Sequence, residues 1–313
     1  MRLDIVIPCY NEELILADSV NHLQELLQTL TETRSIDGES SICLVDDGSN
    51  DNTWMIITQM ADNFPNVQGI KLAHHQGQQN ALLAGIFSMS GNIIITLDAD
   101  LQDDIQVISE MLEEQQNGSE IVYAVRKARP TDNWLKKNTA RGFYQLMKLM
   151  GVELLADHAD FRLMTRKTIE ELKTFKEVNL FLRGMIPLLG FNSSIVYYER
   201  KERSAGSSKY SVFKMLSLAW DGITSFSLVP LRLISIVGFI IFIASLGLSG
   251  WGLFIRLFTE QAIPGWASTV LPIYFIGGIQ LLSLGIIGEY IGKIYLETKR
   301  RPRYIIETRV GEK

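Results

Sequence analysis

The octapeptide LDADLQDD, residues 97–104, follows the apolar run GNIIIT and sets four carboxylates, Asp98, Asp100, Asp103 and Asp104, close together. Asp at a strand-to-helix junction satisfies free helix N–H groups and opposes the helix dipole, which accounts for Asp103 and Asp104. Asp98 and Asp100 are harder to explain this way. They stand two apart at the carboxyl end of a strand, where alternation aims both side chains to the same side. Two like charges held there repel, and a divalent cation with oxygen ligands is the usual compensation. From these residues alone, a capped turn and a metal site both stand.

The elements that would position these carboxylates are legible. The β-rich runs LDIVIP, SICLVDD, VQGIKLA, NIIITLDAD and EIVYAVR are separated by helical patterns starting near Glu12, Asn52, Gln79 and Ile105. Strands separated by helices of this length predict βαβ units and a parallel sheet. Ligands of such sheets bind at the carboxyl ends of the strands. The first four strands end in PCYNEE, VDDGSNDNT, HHQGQQN and DADLQDD. Any one is readable as a capped turn, but four in succession point to a single site.

The chain has 313 residues, enough for one large domain with an appendage or for two domains. Up to about residue 230 it has a charged α/β pattern. Beyond that lie two uncharged apolar runs, LISIVGFIIFIASLGLSGWGLFI between Arg232 and Arg256, and ASTVLPIYFIGGIQLLSLGIIG from Ala267 to Gly288. Each matches the roughly 20 apolar residues that cross a bilayer core. A buried helical hairpin in a soluble protein is the competing explanation, although the frequent Gly suits membrane packing better. Lys209, Lys214, Arg232, Lys293 and the run KRRPR flank the pair, so the positive-inside rule puts both ends in the cytoplasm. MRLDIVIPCYNEE has too short an apolar part for a cleavable signal peptide, which keeps the N-terminal part cytoplasmic in this reading. Cys9 and Cys43 fall in predicted buried strands and are expected to be reduced core thiols. A net charge of −5 argues against nucleic acid as partner. Residues 209–228 place Val212, Leu216, Ala219, Trp220, Ile223 and Phe226 on one helical face, as an interfacial amphipathic helix would, or a helix packed on the soluble part.

The motifs IVIPCYNEE, VDDGSNDNT, LDADLQDD, ADFRLMTR, RSAGSSKY and RPRYII, in this order and joined to two apolar runs, resemble family 2 glycosyltransferases of the polyisoprenyl-phosphate type. The resemblance implies a GT-A fold, a Rossmann-like α/β domain with a mostly parallel sheet. The organisation expected is a cytoplasmic catalytic domain over 1–208, a juxtamembrane amphipathic helix over 209–230, two transmembrane helices over 231–292, and a basic cytoplasmic tail over 293–313.

By resemblance, Asp98, Asp100 and Gln102 would hold Mg²⁺ or Mn²⁺ against the diphosphate of a nucleotide sugar, and Pro8, Tyr10 and Glu12 would contact the nucleoside. Asp47 would read the base edge. Strand termination and packing also explain Pro8 and Tyr10, and helix capping also explains Asp46 and Asp47. Gly77 and the helix start after it are placed to approach phosphate through backbone N–H groups. His74 and His75 stand where the family commonly has Arg-Asn, and their role stays open. Asp160 corresponds to the carboxylate proposed as the acceptor-side base, with Ala159 in place of the usual Gly. It would serve as base, or it would orient Arg162 or the sugar hydroxyls. Arg203 and Lys209 correspond to a basic loop that clamps phosphate, and Arg126 is a further phosphate candidate, though a lone Arg is as readily a surface charge.

The processive relatives' QxxRW motif does not occur in the chain, which favours transfer of a single sugar. The expected enzyme is an inverting, metal-dependent hexosyltransferase of the plasma membrane, with UDP-glucose or UDP-N-acetylglucosamine as donor and undecaprenyl phosphate as acceptor. GDP-mannose is the second donor, and a neutral lipid such as diacylglycerol the second acceptor. A homo-oligomer is expected. A membrane scaffold or nucleotide-sugar sensor would leave the carboxylate and basic motifs unexplained.

Overall fold

Along β1 (Leu3–Cys9), Leu3, Ile5, Ile7 and Cys9 join one hydrophobic cluster and Val6 the other. A strand buried on both faces needs a layer on each side. The computed structural model describes residues 1–127, 158–177, 182–198, 224, 227, 229–258 and 266–311. These fall into two units, one from the described residues of 1–141, 154–209 and 301–313, the other from those of 210–300.

The first unit holds one mixed sheet of eight strands. β1 pairs in parallel with β2 (Ser41–Asp46) and with β4 (Ile93–Thr96), and β2 pairs in parallel with β3 (Val67–Leu72). Beyond β4 lie β6 (His158–Thr165), β5 (Ile121–Arg126) and β7 (Ser193–Tyr198). β6 is antiparallel to both its neighbours, while β5 and β7 run parallel to each other. The expected run of βαβ units therefore holds for the first four strands and breaks at β6, which inserts between β4 and β5.

One face of the sheet is covered by α1 (Leu16–Glu32), α2 (Thr53–Asn63) and α4 (Ile108–Gln116), whose apolar residues Leu23, Ile57 and Met111 are fully buried. The other face carries α3 (Gln78–Ser88), α5 (Arg166–Thr174) and α6 (Leu182–Leu188), through residues such as Leu83, Ile169 and Ile186. The stretch after the basic run, expected to be tail, forms β8 (Ile306–Val310), which pairs antiparallel with β3 and closes that sheet edge.

The second unit contains α7 (Val229–Phe258, 30 residues) and α8 (Trp266–Lys299, 34 residues), which cover both apolar runs. Phe239, Ile240, Leu281, Leu282 and Leu284 are exposed on them. Among the described residues, Phe275–Lys299 is long and apolar enough to cross a membrane, and Val229–Ile241 is a shorter apolar segment. Most of the 209–230 segment lies outside the described residues.

Candidate functional site

The carboxyl ends of β1 to β5 and the amino end of β6 lie on one side of the sheet, because β6 runs opposite to its neighbours. The pairing of Thr96 with Arg162 brings the residues that follow β4 beside those that open β6. Asp98 and Asp160 meet there through one side chain: Gln78 Nε2 lies 2.8 Å from Asp98 Oδ1 and 3.2 Å from Asp160 Oδ2.

Asp98 is half-buried. Burial, reinforced by the negative charge of Asp160, Asp103 and Asp100, raises its carboxyl from the usual range to about 7. Positive charge arriving nearby would favour its ionised form. Asp100 is exposed, and its Oδ1 accepts the Gln102 N–H at 3.4 Å. Leu101 between them has φ 42°, a left-handed backbone that a branched side chain rarely adopts. Strain of this kind concentrates at ligand-binding turns. Gln102 is buried. Among the described residues no group of three His, Cys, Asp or Glu is placed to hold a metal ion. A donor set of two carboxylates suits a hard cation completed by phosphate oxygens and water.

Asp160 is buried and closely engaged. Arg162 Nη2 donates to its Oδ1 at 2.5 Å, and Arg183 Nε reaches the same oxygen at 3.3 Å. Arg162 is itself 1 % exposed, and its Nη1 is buried without a partner among the described residues. Burial lowers its guanidinium from the ordinary value, against the pull of Asp160. Thr96 Oγ1 donates to the Asp160 carbonyl oxygen and ties β4 to β6 at the site.

Asp47 is buried just past the end of β2. Its Oδ1 accepts the Gln76 N–H at 2.7 Å, and its Oδ2 accepts the Gly77 N–H at 2.8 Å. Its Oδ2 also lies 2.9 Å from His75 Nδ1. The carboxylate therefore holds the β3–α3 loop in shape. Gly48 next to it has φ 70°, and a Cβ there would stand 2.7 Å from the His75 nitrogen, so only glycine fits. Gly77 has φ 89° and no such crowding, and starts α3 by its backbone angle alone. The Tyr10 ring, 37 % exposed, stacks on His75 at 4.1 Å between centroids. Glu12 accepts the Leu16 N–H through its carbonyl and donates its own N–H to Thr53 Oγ1. Pro8 lies past the β1–β4 pairing, which ends at Val6, so its missing N–H costs no bond on that side.

Arg126 donates through Nε and Nη2 to Asp103 Oδ1 at 3.2 and 3.0 Å, and through Nε to the Tyr198 hydroxyl at 3.0 Å. It is thus held against an acid at the rim. Arg203 and Lys209 lie outside the described residues. Gln78 and Arg183 reach Asp160 without being among the candidates drawn from the sequence. The polar run HHQGQQN at a strand end was a signal for Gln78. No comparable signal marked Arg183, which reaches Asp160 from α6.

Residues 4–173 match the family model described as Glycosyl transferase family 2. The chain is 47% identical over 307 residues to the Bacillus subtilis glycosyltransferase YkoT, covering 97% of this chain and 91% of that one. It is 37% identical over 308 residues to the prophage bactoprenol glucosyl transferase homolog of Escherichia coli K12, covering 98% and 99%. The bactoprenol glucosyl transferase of Shigella phage SfX is also 37% identical, over 312 residues, covering 99% and 100%. Among solved structures, the glucosyl-3-phosphoglycerate synthase of Mycobacterium tuberculosis in complex with Mn²⁺, UDP and phosphoglyceric acid aligns at a TM-score of 0.48 and 14% identity, covering 71% of this chain and 76% of that one. The chain belongs to glycosyl transferase family 2 and is a glycosyltransferase.

Proposed function

We propose that this glycosyltransferase moves one hexose, with inversion, from a nucleoside diphosphate sugar to a polyprenyl phosphate at the cytoplasmic face of the plasma membrane. UDP-glucose and UDP-N-acetylglucosamine are the favoured donors. The observation that carries the acceptor is the full-length likeness to proteins named as bactoprenol glucosyl transferases, at 37% identity. Two helices of 30 and 34 residues over the apolar runs support a double span with both ends cytoplasmic. We carry the homo-oligomer as part of the same proposal.

Asp98 and Asp100, with Gln102 behind them, would hold Mg²⁺ or Mn²⁺. When bound, the cation supplies charge neutralisation to the departing nucleoside diphosphate. The Asp47-braced loop and Tyr10 would seat the nucleoside, and the start of α3 would face phosphate. The acceptor oxygen is already anionic near neutral pH, so attack at the anomeric carbon needs little help from a base. The lone pairs of Asp160 are committed to Arg162, Arg183 and Gln78, which favours an orienting role. Arg203 and Lys209 would add cations for the phosphates.

The experiment is incubation of membranes carrying the protein with a panel of labelled nucleotide sugars and undecaprenyl phosphate, with Mn²⁺ or EDTA. Label in the lipid fraction from a UDP-hexose is the expected result. Label from GDP-mannose alone would reassign the donor, and label only on a neutral lipid would reassign the acceptor.

A further inference from the structure

Gln78 opens α3, directly after Gly77, whose N–H is held by Asp47. Its amide carries two N–H donors, and one nitrogen serves both Asp98 and Asp160. The ion-paired Asp160 carboxylate fixes the orientation of this amide, since the reverse flip would set a carbonyl oxygen against it. The acceptors come from separate parts of the sheet, Asp98 from the turn after β4 and Asp160 from the opening of β6.

We infer that Gln78 is a positioning residue, whose single side-chain amide fixes the donor-side carboxylate Asp98 relative to the acceptor-side carboxylate Asp160. The assignment of those two sides rests on the function proposed above. A neutral donor suits the place. An ammonium there would compete with a divalent cation, and an apolar side chain would leave Asp98 without its tie to Asp160, which Arg162 and Arg183 still hold. The support is continuous from β2, since Asp47 fixes Gly77, Gly77 sets the start of α3, and α3 aims Gln78 across the strand ends. Orientation of reacting groups affects turnover more than binding.

The test uses full-length protein in detergent, as wild type, Gln78→Met, Gln78→Glu and Asp98→Asn. Mn²⁺ binding in the presence of UDP is read by electron paramagnetic resonance, alongside kcat, the KM of each substrate, and a thermal melt. Gln78→Met keeps the length and loses the donors. It should lower kcat on the order of ten- to a hundredfold, the loss of hydrogen bonds to charged groups, with melting temperature and both KM values close to wild type. Gln78→Glu should bind Mn²⁺ more tightly, having added negative charge, and still turn over slowly. Wild-type kcat in Gln78→Met, or a loss of activity that follows a lowered melting temperature, overturns the inference. Unchanged Mn²⁺ affinity in Gln78→Glu does the same. Asp98→Asn separates the two levels: if it binds Mn²⁺ as wild type does, the donor-side reading itself has failed.

Discussion

At the residue scale, Asp98 is the most informative side chain because its environment opposes its own charge. Its folded-state carboxyl is raised to about 7, above the ordinary 3.8. The folded protein therefore binds more protons than the unfolded chain between those values, and stability falls as pH rises through that window. In EDTA, Asp98→Asn should remove this slope and be more stable than wild type at neutral pH, by on the order of 4 kcal/mol. Saturating Mn²⁺ should flatten the wild-type slope. Urea denaturation at a series of pH values measures both, and identical slopes in the two proteins would contradict the assignment. Arg203 and Lys209 carry a separate expectation. If they grip phosphate, Arg203→Ala or Lys209→Ala should cost about 1.5–3 kcal/mol in transition-state binding, read as kcat/KM for donor and acceptor varied separately. Near-normal efficiency in both would leave the basic loop a solvated surface. Asp98 and Asp100 stand out in the sequence as paired carboxylates after an apolar run, with a capped turn as the alternative, whereas Asp160 is singled out by the family resemblance alone. Arg162 is named in the same way. The resemblance offers its pairing with Asp160 as one alternative, but its burial is not readable from local pattern, because it depends on β6 lying next to β4.

At the scale of elements, the first four βα units could be read from apolar runs and polar strand ends, because local periodicity encodes them. The positions of β6 and β8 could not, since both depend on long-range pairing. β8 is short and half-exposed, follows a basic run, and gains its partner β3 from more than two hundred residues away. It also bears on the site. The Ala73 N–H donates to the Ile305 carbonyl at 2.9 Å, immediately before the loop that Asp47 holds, and Tyr304 and Ile306 pack on the cluster that contains α3. Ending the chain after Arg300 should lower the melting temperature by at least about 2 °C and raise the donor KM, with less effect on the lipid KM. Unaltered donor KM in a folded truncation would show that the loop holds its shape without β8. Gly48→Ala probes the same loop from the other side. Its strained backbone and contact with His75 should weaken nucleotide binding, as isothermal titration with UDP would reveal.

At the scale of the whole molecule, the proposal joins an α/β catalytic unit to a pair of long apolar helices. The pair of apolar runs was evident from composition, since bilayer-length stretches without charge are rare in soluble chains. The proposed topology rests on the Lys and Arg bias, and both native cysteines are buried, so an introduced cysteine reports cleanly. In intact cells an impermeant thiol reagent should label Gln261→Cys and spare Thr308→Cys until the membrane is opened. The reverse pattern would invert the topology. Sugar transfer to undecaprenyl phosphate by wild type and Asp100→Asn, over a range of Mn²⁺ concentrations, probes the lipid-phosphate acceptor and the metal together. The wild type should yield a labelled polyprenyl phosphate sugar that disappears in EDTA and in the folded Asp100→Asn protein. Transfer that persists in either, or a wild type that glycosylates no polyprenyl phosphate from any nucleotide sugar, would contradict the proposed function.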